Sequence, residues 1–469
     1  MHYRSIAPIL LTSILLTPIA VGSDAQEPAS SEAPRQVILI VGDGMDDQQI
    51  SIARNYLKGA NGRLLIDGLP LRSNSQVQTV EDQVDGKPLY VSDSANSATS
   101  MATGIVTSRG RIATTAGADE DVPTIMELAK KAGFKTGIVT TSSVTDATPA
   151  SFASHIKFRL CENPELMEEI TFYGVNLGEC TVDLKSNGGK GSIAVQLAES
   201  SVDVILGGGS KHFAAKTRDG DTSVLQLAQS KGFETVANAR ELAQADPGKR
   251  LLGLFAKSTL PVRMRGEEGR IAEKPGPSFF NQISQYLGSV NIPEPMKCEA
   301  NPESTKVPSL KQMTDTALAH LTENNTRGFY LMIESASIDK QAHKRDACGS
   351  IGEVEQLMEA LESSLAYAEK NPNTLVLVTA DHGQAAQLVP DESLYSDIPI
   401  PIYSPGHIVR IVTPEGVRMA VNYATTNFDM EEHTGVSVPL YGNQESLGRV
   451  PAFVQQRELF TITKDYLGL

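Results

Sequence analysis

The sequence predicts an α/β protein: a three-layer α/β/α sandwich on a large, mostly parallel central sheet, with an irregular, crown-like insertion. Three observations carry this. Apolar runs of strand length recur without polar interruption, as at Gln36 to Val41, and such runs belong to strands buried on both faces, as in parallel sheets covered by helices. Segments with apolar residues at helical spacing separate them. The runs also lead into carboxylates, and in an open α/β sheet the ligand crevice lies at the carboxyl ends of the strands.

The chain begins Met1-His2-Tyr3-Arg4, continues through an apolar run from Ile6 to Ile19 and exits through Ala20, Val21, Gly22 and Ser23. A basic start, a short apolar core and a small-residue exit make a secretory signal peptide over 1–22, cleaved near Gly22 or Ala25. A polar leader with Pro28 and Pro34 fills 23–35, and a single catalytic domain is expected over 36–469. Gln36 to Val41 runs into Gly42-Asp43-Gly44, followed by helical spacing from Asp46 to Leu57. Phe134 to Thr140 leads to Asp146-Ala147-Thr148, Gly328 to Ile333 runs into Glu334, and Asn373 to Ala380 runs into Asp381-His382. Helices are expected over 122–132, 309–324 and 351–370, and a further buried strand over 203–209, whose three glycines read as a turn. Between Pro390 and Pro414 the helical period is lost, so a rim excursion is expected over about 390–430, with a strand at 419–423. No internal repeat or low-complexity tract is visible.

Four cysteines suit an oxidising compartment and pair in three possible ways. Near-neighbour pairing, Cys161–Cys180 and Cys298–Cys348, closes two separate loops and is the expected set. The absence of a Cys-x-x-Cys pair argues against thiolate zinc binding. A formal charge of −15 without a Lys/Arg stripe argues against nucleic-acid binding. That field also repels anionic substrates, unless bound divalent cations reverse it locally.

One strand-terminal aspartate is commonly a cap, but four acidic strand ends, two with histidines nearby, point to metal. Asp339 and His343 are four apart, so one helical turn lets both hold a single ion. Asp381 and His382 are adjacent and converge only through a bent loop, and His433 is not assignable from spacing. Asp and His donors suit zinc at open catalytic sites; the oxygen set Asp43, Thr148 and Glu334 suits magnesium. Asp93-Ser94-Ala95 places a serine at the start of an Ala-rich helix, where free N–H groups favour anionic oxygen. Two cations a few Å apart activate an attacking oxygen on one side and stabilise a leaving oxygen on the other. Arg159, thirteen residues after Asp146, supplies a planar fork suited to a phosphoryl group.

From Asp43 to the C-terminus the chain resembles bacterial alkaline phosphatases. The resemblance rests on Gly42-Asp43-Gly44-Met45, Asp93-Ser94-Ala95, Thr145-Asp146-Ala147-Thr148-Pro149 with Arg159, the stretch from Glu334 to His343, Thr379-Ala380-Asp381-His382 and Glu432-His433-Thr434-Gly435. It implies a non-specific phosphomonoesterase in which Ser94 forms a phosphoseryl intermediate and Arg159 grips the phosphate, with Asp93 and Lys340 beside it. Asp339, His343 and His433 would hold one zinc, and Asp43, Asp381 and His382 the other. Asp43 would bridge to a magnesium completed by Thr148 and Glu334, with Asp146 just behind it. Cys348 matches the family's disulfide framework. The resemblance also implies small-molecule phosphomonoesters as substrates and a homodimer; the signal peptide, with no later apolar stretch long enough to anchor the mature chain, implies a periplasmic or secreted location without a membrane anchor. Asp46 stands where the family commonly has glycine, and Asn96, in place of alanine, is close enough to Ser94 to alter phosphate hydrogen bonding. The loops 160–190 and 210–280 match only loosely. A phosphodiesterase of the same superfamily and a secreted phosphate- or metal-binding protein without turnover are the alternative readings.

Overall fold

The computed structural model describes residues 34–218, 220–395, 397–398 and 405–469. The signal peptide expected at 1–22, and all but residues 34 and 35 of the leader, lie outside these. Ten strands form the central sheet: β1 (Arg35–Gly42), β2 (Leu71–Gln76), β3 (Lys135–Ser143), β4 (Val204–Gly208), β5 (Phe233–Val236), β6 (Arg250–Leu254), β7 (Gly328–Ser335), β8 (Thr374–Ala380), β9 (Val438–Gly442) and β10 (Phe453–Gln455). Their order is β10-β2-β9-β8-β1-β7-β3-β4-β6-β5. Every pairing is parallel except those of β9 with β2 and β8.

The two faces of β1 show why the apolar runs are unbroken. Ile38 and Ile40 join one core, with residues of α1 (Asp47–Lys58), α3 (Leu310–Thr322) and α5 (Ala347–Lys370). Val37, Leu39 and Val41 join the other, with residues of α2 (Ser94–Thr103) and α6 (Glu458–Leu467). A strand covered on both sides has no polar face to show. The helix expected over 122–132 is shorter, Ile125–Lys131, because Thr124 caps it and Glu127 returns the bond. The rim excursion is a three-stranded antiparallel sheet of Gln387–Val389, His407–Val412 and Arg418–Tyr423. Its strand 407–412 went unseen in the sequence because Pro and Tyr dominate the approach to it. Glu334 is the penultimate residue of β7, at its carboxyl end, beside Val41 of β1. Among the described residues no helix is long and apolar enough to cross a membrane.

Both expected disulfides form, Cys161–Cys180 and Cys298–Cys348. The second closes the longer loop, 50 residues against 19, and replacing both its cysteines by alanine should cost about 4 kcal/mol, against about 3 for the first. Thermal melts of the two double variants test the order.

Glu353 of α5 is a buried carboxyl, 1% exposed, accepting from Arg263 N (3.1 Å) and Gln356 Nε2 (2.8 Å). Burial pushes its pKa up to about 7. Because the folded pKa lies above the unfolded value, the stability it contributes is present below about pH 4.5 and is lost as pH rises through about 7. Glu353→Gln should therefore melt higher than wild type at pH 8 and converge with it near pH 5.

Candidate active site

Ser94 is the first residue of α2, and Asp93 before it caps the helix: the Asp93 carboxylate accepts from Asn96 N (3.1 Å) while Asn96 Oδ1 accepts from Asp93 N (2.9 Å). Asn96 Nδ2 donates to the Gln78 carbonyl (2.8 Å). The Asn96 side chain thus locks the turn into α2. Ser94 is 3% exposed, and its Oγ lies 3.1 Å from His382 Nε2.

His382 follows β8 through the bend the sequence required. Its Nδ1 lies 3.3 Å from the Gly383 carbonyl, and with the hydrogen there Nε2 presents its lone pair. Nε2 is 3.5 Å from Asp43 Oδ1 and 3.3 Å from Asp381 Oδ2. Both carboxylate oxygens are buried without a hydrogen-bond donor. Burial pushes the His382 pKa down to about 4, against the pull of Asp381. Gly44 lets this corner close: its N–H donates to Asp381 Oδ1 (2.9 Å), its φ is +67°, and a Cβ would meet Gln384 Cγ at 2.8 Å.

Asp339 and His343 occupy successive turns of the short helix α4 (Ser337–His343), and His433 arrives from a loop. Their donor atoms nearly form an equilateral triangle: His343 Nε2 to His433 Nε2 is 3.0 Å, and each lies 3.3 Å from Asp339 Oδ1. Four donors around a zinc at 2.0–2.1 Å stand roughly 3.3 Å apart, so this set fits that ion. Asp339 also groups with Asp43 and His382. It therefore stands between the two clusters, a sharing that the sequence did not suggest. The His382 and His433 rings stack with centroids 3.6 Å apart.

On the remaining side Arg159 bridges Asp93 (3.2 Å) and Asp146 (3.0 Å), and Lys340 Nζ meets Asp146 Oδ2 at 2.5 Å. Against the penalty of burial, these two cations hold the Asp146 carboxyl well below its ordinary range. Glu334 is pushed up to about 7 by burial, although Thr140 Oγ1 donates to its Oε2 and Ser142 Oγ lies 3.3 Å away. Asp43 is raised by burial and then by Asp339 and Asp381. Six carboxylates, Asp43, Asp93, Asp146, Glu334, Asp339 and Asp381, thus share two permanent cations, Arg159 and Lys340, with three histidines among them. That excess of buried negative charge suits divalent cations. Thr148 is buried near this group, and Glu334 is among its neighbours. A cavity of about 640 Å³ opens over Ser94, Arg159, Lys340 and the His343–His433 pair; Leu260, Pro261, Val262 and Met430 form part of its wall.

Several contributors escaped sequence reasoning. Gln384 Nε2 donates to Asp339 Oδ1 (2.6 Å), and Gln456 Nε2 donates to the Asp381 carbonyl (2.7 Å). His433 Nδ1 pairs with the Ser92 carbonyl (2.9 Å), and His343 Nδ1 with that of Glu431 (2.5 Å), leaving each Nε2 toward Asp339. Gln384, two residues past His382, was findable by proximity; Gln456 carried no signal. Asp46 caps α1, accepting from Gln48 N and Gln49 N at 3.0 Å, and its other oxygen accepts from Gln384 N (3.1 Å). A glycine there would make neither set of bonds.

The family model described as alkaline phosphatase matches residues 34–445. Streptomycin-6-phosphate phosphatase of Streptomyces griseus is 37% identical over 460 residues, covering 97% of this chain and 95% of that protein. Alkaline phosphatase of Escherichia coli K12 is 36% identical over 451 residues, covering 94% and 87%. The structure of alkaline phosphatase from the Antarctic bacterium TAB5 has the same fold, with a TM-score of 0.65 over 93% of this chain and 99% of that one at 21% identity. The chain belongs to the alkaline phosphatase family and is a metal-dependent phosphatase.

Proposed function

We propose that this enzyme is a non-specific phosphomonoesterase that works through a phosphoserine at Ser94 and carries two zinc ions and one magnesium. The observation that supports it most is the placement of Ser94 Oγ at the N-terminus of α2, 3.1 Å from a buried histidine flanked by two carboxylates. Asp339, His343 and His433 would hold one zinc and Asp43, Asp381 and His382 the other, while Asp43, Thr148 and Glu334 would hold magnesium with Asp146 behind it. When bound, these ions lower the pKa of oxygen nucleophiles and neutralise charge on phosphoryl and leaving oxygens.

The chain's own residues divide the rest. Ser94 Oγ attacks phosphorus, the ester P–O bond breaks, and the serine proton leaves with the alcohol. Water then attacks the phosphoserine, which returns Ser94 as a free hydroxyl and releases inorganic phosphate. Arg159, held by Asp93 and Asp146, orients the phosphoryl oxygens with a rigid fork. Lys340 adds a positive charge beside it. The catalytic domain would run from 36 to 469 as one unit. The apolar start of the chain and its two disulfides support export to the periplasm or beyond; the enzyme would be a homodimer, with the 390–430 excursion near the active-site rim.

Hydrolysis of a chromogenic phosphomonoester at alkaline pH, after dialysis against chelator and then with zinc and magnesium restored, tests this reading. Activity should vanish with the chelator and return with the metals. A preference for a phosphodiester would favour the diesterase reading, and binding of zinc and phosphate without turnover would favour sequestration.

A further inference from the structure

His343 and His433 come from segments ninety residues apart, yet their Nε2 atoms lie 3.0 Å from each other. Groups outside the ligand set must hold those segments together. Glu431 N donates to the His343 carbonyl (3.0 Å) and His343 Nδ1 faces the Glu431 carbonyl (2.5 Å), so the two strands of chain are joined at the ligand itself. Arg345 lies two residues past His343, and Glu431 two residues before His433. Their side chains form an ion pair, Arg345 Nε to Glu431 Oε1 at 2.6 Å, with side-chain exposures of 8% and 0%. Glu431 Oε2 accepts from Thr425 N (2.8 Å) and Thr425 Oγ1 (2.6 Å), and Arg345 Nη2 donates to the Phe428 carbonyl. Thr425 Oγ1 in turn accepts from Glu432 N (2.8 Å), next to His433. Arg345 also has φ +63°, a left-handed conformation that a side chain tolerates only where its surroundings impose it.

Resting on the reading of Asp339, His343 and His433 as a zinc site, we propose that Arg345 and Glu431 are positioning residues: a buried ion pair that sets the approach of His433 to His343 and the Nδ1–H tautomer of His343, and with them the zinc affinity of that site. A buried ion pair is a poor source of net stability compared with an apolar pair. Its hydrogen bonds are directional, however, and here they fix the loop 425–433 against the end of α4. The donor triangle follows from that placement together with the Ser92 carbonyl, which holds His433 Nδ1 at 2.9 Å from the other side.

The test measures zinc binding to metal-stripped wild type, Glu431→Gln and Arg345→Lys by competition with a chromophoric chelator. The visible spectrum of the cobalt-loaded proteins and the melting temperature of the metal-free proteins are recorded alongside. One of the tight zinc sites should weaken by about 10–100-fold in Glu431→Gln, as for other groups that orient ligands. Its cobalt spectrum should change while the remaining site keeps wild-type affinity, and Arg345→Lys should fall between. Unchanged zinc affinity, with only a lower metal-free melting temperature, would overturn the proposal and leave the pair a fold-stabilising contact. If Glu431→Gln does not fold, Thr425→Val decides instead: a several-fold loss of zinc affinity supports the proposal and none overturns it. Wild type without tight zinc binding would defeat the metal reading and this proposal with it, whereas equal binding by wild type and variants defeats the positioning role alone.

Discussion

Replacing Ser94 by alanine lowers phosphomonoester turnover by up to about 10⁶-fold with zinc and magnesium saturating, the scale seen when a nucleophile that works as part of a unit is removed. The fold should be indifferent to the change. The cap of α2 is supplied by Asp93 and Asn96, and among the described residues the serine hydroxyl hydrogen-bonds His382, a contact the fold does not depend on. Metal content should therefore match wild type. Acid quenching during turnover of a ³²P-labelled monoester should trap label on wild-type protein and none on Ser94→Ala. A loss smaller than tenfold would mean that water attacks the ester directly, and the phosphoserine route would be abandoned.

The second large effect is expected at His382. Its imidazole is the nitrogen donor between Asp43 Oδ1 and Asp381 Oδ2, and it also contacts the Ser94 hydroxyl. His382→Ala leaves two buried carboxylates facing one another across a gap, with one donor fewer to hold a cation between them. We expect loss of one zinc per chain by elemental analysis and a fall in kcat/KM of roughly 10³-fold, equivalent to several kcal/mol of lost charge stabilisation. Activity should recover partly as free zinc is raised into the millimolar range, because the remaining carboxylates still attract the ion. Retention of the full zinc content and turnover would remove His382 from the site. Together the two variants separate the roles: Ser94→Ala keeps the ions and loses the bond-forming oxygen, whereas His382→Ala keeps that oxygen and loses an ion.

The sequence by itself determined what local chemistry controls. Two-sided burial leaves no room for polar residues, so β1, β3, β7 and β8 were readable as apolar runs, and Asp43 and Asp381 were legible as the residues that follow two of them. Asp339 and His343 were legible as a pair because a helical turn brings residues four apart together. Ser94 was legible because caps and helix starts have local rules. Resemblance to a known family then supplied His433 and Arg159, which no spacing rule reaches. Tertiary structure decided the rest. It tied the Asn96 side chain back to Asp93 and to Gln78, gave Asp46 a second partner at Gln384, and placed Asp339 between two donor groups. It also brought Gln456 to Asp381 and Arg345 to Glu431 across 75 and 86 residues. Contacts at such separations are set by how strands and loops stack, and no periodicity in the chain encodes them; a sequence read locally announces the groups that do the chemistry more readily than those that hold them in place.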